Sequence, residues 1–152
     1  MSDRPSRAAT SLMLESLLPA TPDAVYAAWT DPALLHLWMS PSGHADAKID
    51  LRVGGSFQIV MIGEGTRIEH TGEYLDLDPP RLLRFTWNSP YTGEGPSVVT
   101  VVLEPDGDAT RLVLTHERLP ADAVASHERG WGAMVDRLAA VLAANPAKEV
   151  GQ

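Results

Sequence analysis

A chain of 152 residues fits one domain, large enough to bury a core without staples. Its 12 Lys and Arg stand against 20 Asp and Glu, a formal charge of -8. That balance supplies no broad basic face, so nucleic acid is excluded as an expected partner. Cysteine is absent, which rules out disulfides, thiolate metal sites and a cysteine nucleophile.

In chain order, Met1 to Thr10 is polar, and no apolar segment of signal-peptide length follows Arg4 and Arg7, so a cytoplasmic protein is expected. The longest apolar runs, Val98 to Leu103 and Leu138 to Ala144, are too short to span a bilayer, so no membrane span is expected. Ser11 to Leu18 alternates Leu12 and Leu14 against Met13, Glu15 and Leu17, which suits a first strand. Thr21-Pro22-Asp23 starts a helix reaching Ala28 or Trp29: Thr21 caps free amides, Pro22 presets φ, and Asp23 faces the positive end of the dipole. Asp31-Pro32 repeats that signal for a second short helix, stopped by Pro41 and Gly43.

From His44 to Leu119 the pattern becomes alternation broken by turn residues at Gly54-Gly55, Gly63-Glu64-Gly65, Asp78-Pro79-Pro80, Ser89 to Pro96 and Asp106-Gly107-Asp108. About six strands result, and tight turns make their neighbours antiparallel. A final helix from about Asp122 to Ala144 ends at Asn145-Pro146. It repeats Trp131, Met134, Val135, Leu138, Val141 and Leu142 at spacings of three and four. The fold class is therefore α+β, a seven-stranded curved antiparallel sheet round one long helix. A single domain spans residues 11–144, with 1–10 and 145–152 expected as flexible tails.

Candidate site residues follow from which face each element presents. The alternating sets Phe57, Ile59, Met61; Leu83, Phe85, Trp87; and Leu112, Leu114, His116 face the concave side, opposite Trp131, Met134, Val135 and Leu138. Trp38, Trp87 and Trp131 each carry a donor that needs a partner when buried, which points to a lined cavity at the sheet–helix junction. Solid packing is the alternative. His70, His116 and His127 are the polar handles of such a pocket, although a lone histidine on an apolar face is more often a satisfied core residue. Glu117, one residue beyond His116, falls on the outer face. Gly130 and Gly132 cost a helix roughly 0.8–1 kcal/mol each relative to alanine, so a close backbone approach or ligand clearance is expected there, with a helix kink as the alternative. The five histidines show no metal-ligand spacing, and neither a P-loop nor G-x-S-x-G occurs, so no metal, cofactor or catalytic residue is assigned.

One ordered set of motifs carries more. Trp29-Thr30-Asp31-Pro32, Leu37-Trp38, Gly72-Glu73-Tyr74, Pro79-Pro80-Arg81-Leu82, Phe85-Thr86-Trp87, Leu114-Thr115-His116 and Gly130-Trp131 resemble the activator of heat-shock-protein-90 ATPase homologue-like family. That family lies within the START-like, birch-pollen-allergen-like (SRPBCC) superfamily of helix-grip folds, and the resemblance runs from about Ser11 to Leu142. It implies a strand, two small helices, six further strands and a long C-terminal helix. Superfamily members serve as ligand carriers, receptors, cyclases and chaperone activators, so the fold alone does not choose among them.

Three functions are carried forward. The first is binding of an apolar or aromatic small molecule in an internal sheet–helix cavity. The second is an enzyme of cyclase, dehydratase or hydrolase type using His116 or a pocket carboxylate. The third is a protein-binding module with a chaperone or regulator partner, and a homodimer is left open. A buried His–carboxylate pair would favour catalysis, a cavity without one would favour binding, and a filled core with an exposed apolar patch would favour protein contact.

Overall fold

The computed structural model describes residues 10–40, 42, 44–63, 65–92 and 96–144. The tails, the stop residues Pro41 and Gly43, Glu64 and residues 93–95 lie outside that set, except that Thr10 accepts a hydrogen bond from the Leu119 amide at 2.9 Å. The elements run β1 (Leu12–Leu18), α1 (Pro22–Thr30), α2 (Pro32–Leu35), β2 (Ala45–Ile49), β3 (Ser56–Gly63), β4 (Thr66–Asp78), β5 (Leu82–Trp87), β6 (Ser97–Asp106), β7 (Ala109–Glu117) and α3 (Val124–Ala144). A short 3₁₀ turn at Ala121–Ala123 leads into α3.

Both helix starts use the expected chemistry. The Ala24 amide donates to Thr21 Oγ1 at 3.3 Å and the Ala33 amide to Asp31 Oδ1 at 2.9 Å, each with proline in the first turn. The sheet has strand order β1-β7-β6-β5-β4-β3-β2, every pair antiparallel. β2 to β7 form a meander, and β1 closes onto its far side beside β7, with Leu12 opposite His116 and Leu14 opposite Leu114.

Gly72 lies where β4 leaves β3 for β5. A Cβ there would sit 2.0 Å from the Thr86 carbonyl oxygen and 2.4 Å from the Phe57 ring, so only glycine admits this approach. Phe57 pairs with Gly72 across the strands and covers it. Just beyond Gly72, β4 changes partner from β3 to β5, with a register shift between Tyr74 and Asp76.

Alternation fixes the concave face. Phe57, Ile59, His70, Tyr74, Leu83, Phe85, Trp87, Val99, Val101, Leu112, Leu114 and His116 are buried there, while Met13, Leu17, Glu69, Glu73 and Glu117 are exposed on the outside. α3 buries Trp131, Met134, Val135, Leu138 and Leu142 against that face. Among the described residues no helix is long and apolar enough to cross a membrane.

Candidate functional site

The aromatic residues meet at the centre of this core. Trp29, at the end of α1, makes an edge contact with Trp38 (ring centroids 4.7 Å apart) and stacks on Trp131 at 5.9 Å. Trp131 in turn lies 5.2 Å from Trp87. The expected cavity around Trp38, Trp87 and Trp131 is therefore filled over most of its length, and the residue that fills it is Trp29. An internal void of about 10 Å³ remains beside Phe57, Ile59 and Phe85. A water molecule barely fits there, so this part of the interior has no room for a ligand.

One hydrogen-bond chain links polar groups of α3, β7 and β6 inside the core. Trp131 Nε1–H donates to His116 Nδ1 at 3.0 Å. Indole nitrogen only donates, so His116 Nδ1 is the bare acceptor and its proton sits on Nε2. Nε2–H therefore donates to Ser97 Oγ at 2.8 Å, and the Ser97 hydroxyl donates to the Trp87 carbonyl. Burial pushes the His116 imidazole down to about 3, with the nearby His127 adding to the effect. His116 is thus a neutral, fully satisfied spacer between β6, β7 and α3. Cross-strand register makes this possible, because Ser97 lies opposite Trp87, and His116 opposite Val99, two residues along β6.

Open space lies at one end of the grip, between α3 and the β3–β4 hairpin. A cleft of about 320 Å³ is bounded by Met61, Ile68 and His70 on β3 and β4, Trp87 at the end of β5 with Ser89 and Tyr91 beyond it, and His127, Gly130, Trp131 and Met134 on α3. A second lobe of about 560 Å³ meets it over Met61, Ile68, Gly130 and Met134 and extends past Met39, Ala133 and Arg137. The largest concavity, about 820 Å³, is elsewhere, an open groove on the outer face lined by Gln58, Glu73 and Thr86. Its described lining is mainly polar and outward-facing, with Lys48, Asp50, Gln58, Glu73 and Thr86, so the mainly apolar cleft is the better candidate.

Two histidines border the cleft in different ways. His70 is buried and leans on Trp87 at 4.6 Å, and its Nδ1 has no hydrogen-bond partner. Burial lowers its pKa to about 4, although the carbonyls of Ile59 and Ile68 favour a proton. His127 Nδ1–H donates to the Ala123 carbonyl at 2.9 Å, which leaves Nε2 as an acceptor. No carboxylate is among the described lining residues of either lobe. Glu69 accepts from Gln58 on the outer face, and Glu117 is exposed. Among the described residues no cluster with metal-ligand character occurs.

Of the residues singled out from sequence, Met61, His70, Trp87, His127, Trp131 and Met134 converge on the cleft. Trp38, Phe57, Ile59, Phe85, Leu114, His116, Val135 and Leu138 are buried in the packed core away from it. Ile68, Ser89, Tyr91 and Arg137 were not singled out. Ile68 belongs to the same alternating set as His70 and was there to be found, whereas Ser89 and Tyr91 sit in a loop without periodicity.

Gly130 and Gly132 have no atom within 4 Å of an added Cβ, so of the expected reasons for them a close backbone approach does not apply. Gly130 instead opens the floor shared by both lobes. Gly130→Ala and Gly132→Ala should each stabilise the fold by about 0.8 kcal/mol, read as a rise in urea midpoint at unchanged slope. A loss of stability in either variant would contradict the open space seen at these positions.

The architecture, a seven-stranded curved sheet gripping a long C-terminal helix with two short helices after β1, is the helix-grip fold. The sequence profile of the Activator of Hsp90 ATPase homolog 1-like protein family matches residues 19–143, and the chain belongs to that family. No curated protein sequence matches it. Among solved structures, a Chromobacterium violaceum protein is similar at 29% identity and TM-score 0.73, over 87% of this chain and 96% of that one. A Rhodobacter sphaeroides protein is similar at 28% identity and TM-score 0.77, over 90% and 93%. An Hsp90 activator from Plasmodium falciparum shares the fold at 23% identity and TM-score 0.75, over 89% and 97%. In this chain Trp131 and His116 share one hydrogen-bond chain that ends on the Trp87 backbone carbonyl, and Trp29 packs on Trp131 and on Trp38.

Proposed function

We propose that the protein binds an apolar or aromatic small molecule in the cleft between α3 and the β3–β4 hairpin. The observation that carries this reading is the cleft itself. It is a concave space of ligand size with mainly apolar walls, Met61 and Ile68 facing it and the buried Trp87 and Trp131 backing it, and few polar groups. The absence of a carboxylate from its described walls leaves His70 and His127 without an acid–base partner, which favours binding over catalysis. The site lies at the mouth of the grip and not through its interior, so the ligand is held between helix and sheet with one side toward solvent.

The test uses naphthalene derivatives and tryptophan emission. Addition of 2-naphthol should quench Trp87 and Trp131 and raise the melting temperature by mass action. Gly130→Leu projects a side chain into the floor of both lobes without entering the core, and should abolish both responses. Gly132→Leu, one residue outside the lining, should keep them. Equal responses in wild type and Gly130→Leu would place the probe elsewhere. The exposed apolar pair Met13 and Leu17 on the outer face of β1 is then the alternative surface, and the protein-contact reading takes over.

A further inference from the structure

The geometry points to an amphipathic carboxylate as the ligand class, its apolar body lying against Met61, Ile68 and Met134 and its carboxylate held by Arg137. This rests on the cleft being a small-molecule site and adds which end of the molecule faces which lobe.

Arg137 stands one turn along α3 from Met134 and borders the second lobe. Its Nε–H donates to the Trp38 carbonyl at 3.0 Å, which fixes the plane of the guanidinium. Neither terminal nitrogen has a hydrogen bond or ion pair among the described residues, although four other arginines, at 52, 81, 84 and 111, each reach a carboxylate. Burial alone moves its titration downward, with no carboxylate acting to hold it up. A half-buried cation of this kind, oriented and uncompensated, is suited to a planar anion that accepts two parallel N–H bonds.

The neighbouring hydroxyls do not compete for that role. Ser42 donates to the Ile62 carbonyl and accepts from the His44 amide, while Ser40 is shared between Ser42 and the same carbonyl. These bonds tie the segment after α2 to the end of β3. Arg137 is the charged group at this end of the cleft, and it has donors to spare. In a chain of formal charge -8 an anion gains nothing from the overall field, so any preference for a carboxylate has to come from Arg137, the one Lys or Arg among the described lining residues.

The experiment compares naphthalene-2-acetate with its isosteric neutral amide, naphthalene-2-acetamide, by titration calorimetry at pH 7.5. The acetate should bind wild type about tenfold more tightly than the amide. Arg137→Gln should bring the two within about twofold by weakening the acetate alone, and the unchanged amide affinity then shows that the cleft is intact. Arg137→Lys, which keeps the charge but loses the fork, should retain only part of the preference. Equal binding of acetate and amide to wild type, or a preference that survives Arg137→Gln, overturns the inference and leaves the apolar cleft standing. Failure of both probes to bind overturns the cleft reading and this inference with it.

Discussion

Trp131→Ala is expected to destabilise the protein by about 5 kcal/mol, the largest effect of any single truncation in the core. The indole is almost wholly buried, with Trp29 stacked on it and Trp87 beside it. Removing a large buried aromatic group costs about 3–5 kcal/mol in lost packing and cavity formation. The same change leaves His116 Nδ1 as a buried acceptor with no donor, which adds about 1–3 kcal/mol. Trp131→Phe separates the two contributions, because it restores most of the packing but no N–H. It should cost about 2 kcal/mol by urea unfolding. If Trp131→Phe is as stable as wild type, the hydrogen-bond chain through His116 and Ser97 does not hold the helix to the sheet.

Acid should unfold the protein through two histidines. His116 and His70 are held neutral in the folded state, at about 3 and about 4, while an unfolded histidine titrates near its ordinary value of 6.5. Below pH 6.5 the unfolded chain therefore binds more protons than the folded one, and stability falls as pH falls toward those two values. Above pH 7 neither group contributes any slope. Each should remove on the order of 3 kcal/mol between pH 6.5 and 4, together a large part of a typical domain's stability. Unfolding free energy measured from pH 8 to pH 4.5 should be flat at first and then drop with a slope approaching two protons. His116→Gln and His70→Gln should each reduce that slope by about one proton, whatever they do at pH 7. A profile with no slope between pH 6.5 and 4.5 would mean that the two rings are charged, or solvated, in the native protein.

Much of the fold was legible because alternation and capping are local signals. The six strands from Ala45 to Glu117 lie where alternation and turn residues put them, and Thr21 and Asp31 cap the helices they were assigned. The placement of β1 beside β7 was not legible, since Leu12 opposite His116 is a pairing across the whole chain that no local pattern encodes.

The site was legible only in part, for a related reason. Alternation says which way Phe85 or Trp87 faces, but not whether the space beyond is already occupied. Trp29, at the end of a short helix with no periodicity of its own, is what turns the expected interior cavity into packed core. His116 looked like a free polar handle because Ser97 and Trp131, its partners, are 19 and 15 residues away in sequence. Arg137 has no motif or spacing around it that would single it out in the sequence. Its place at the lobe depends on the Trp38 carbonyl, 99 residues upstream.

The claim that a small molecule lies between α3 and the β3–β4 hairpin is tested most directly by methyl NMR of protein labelled at its methionines, titrated with 2-naphthol. Met61 and Met134 form the floor common to both lobes, and Met13 is an exposed reporter on the outer face of β1. Shifts of Met61 and Met134 that saturate together, with Met13 unmoved, are the predicted result. Shifts confined to Met13, or none at Met61 and Met134 at saturating probe, would contradict the site.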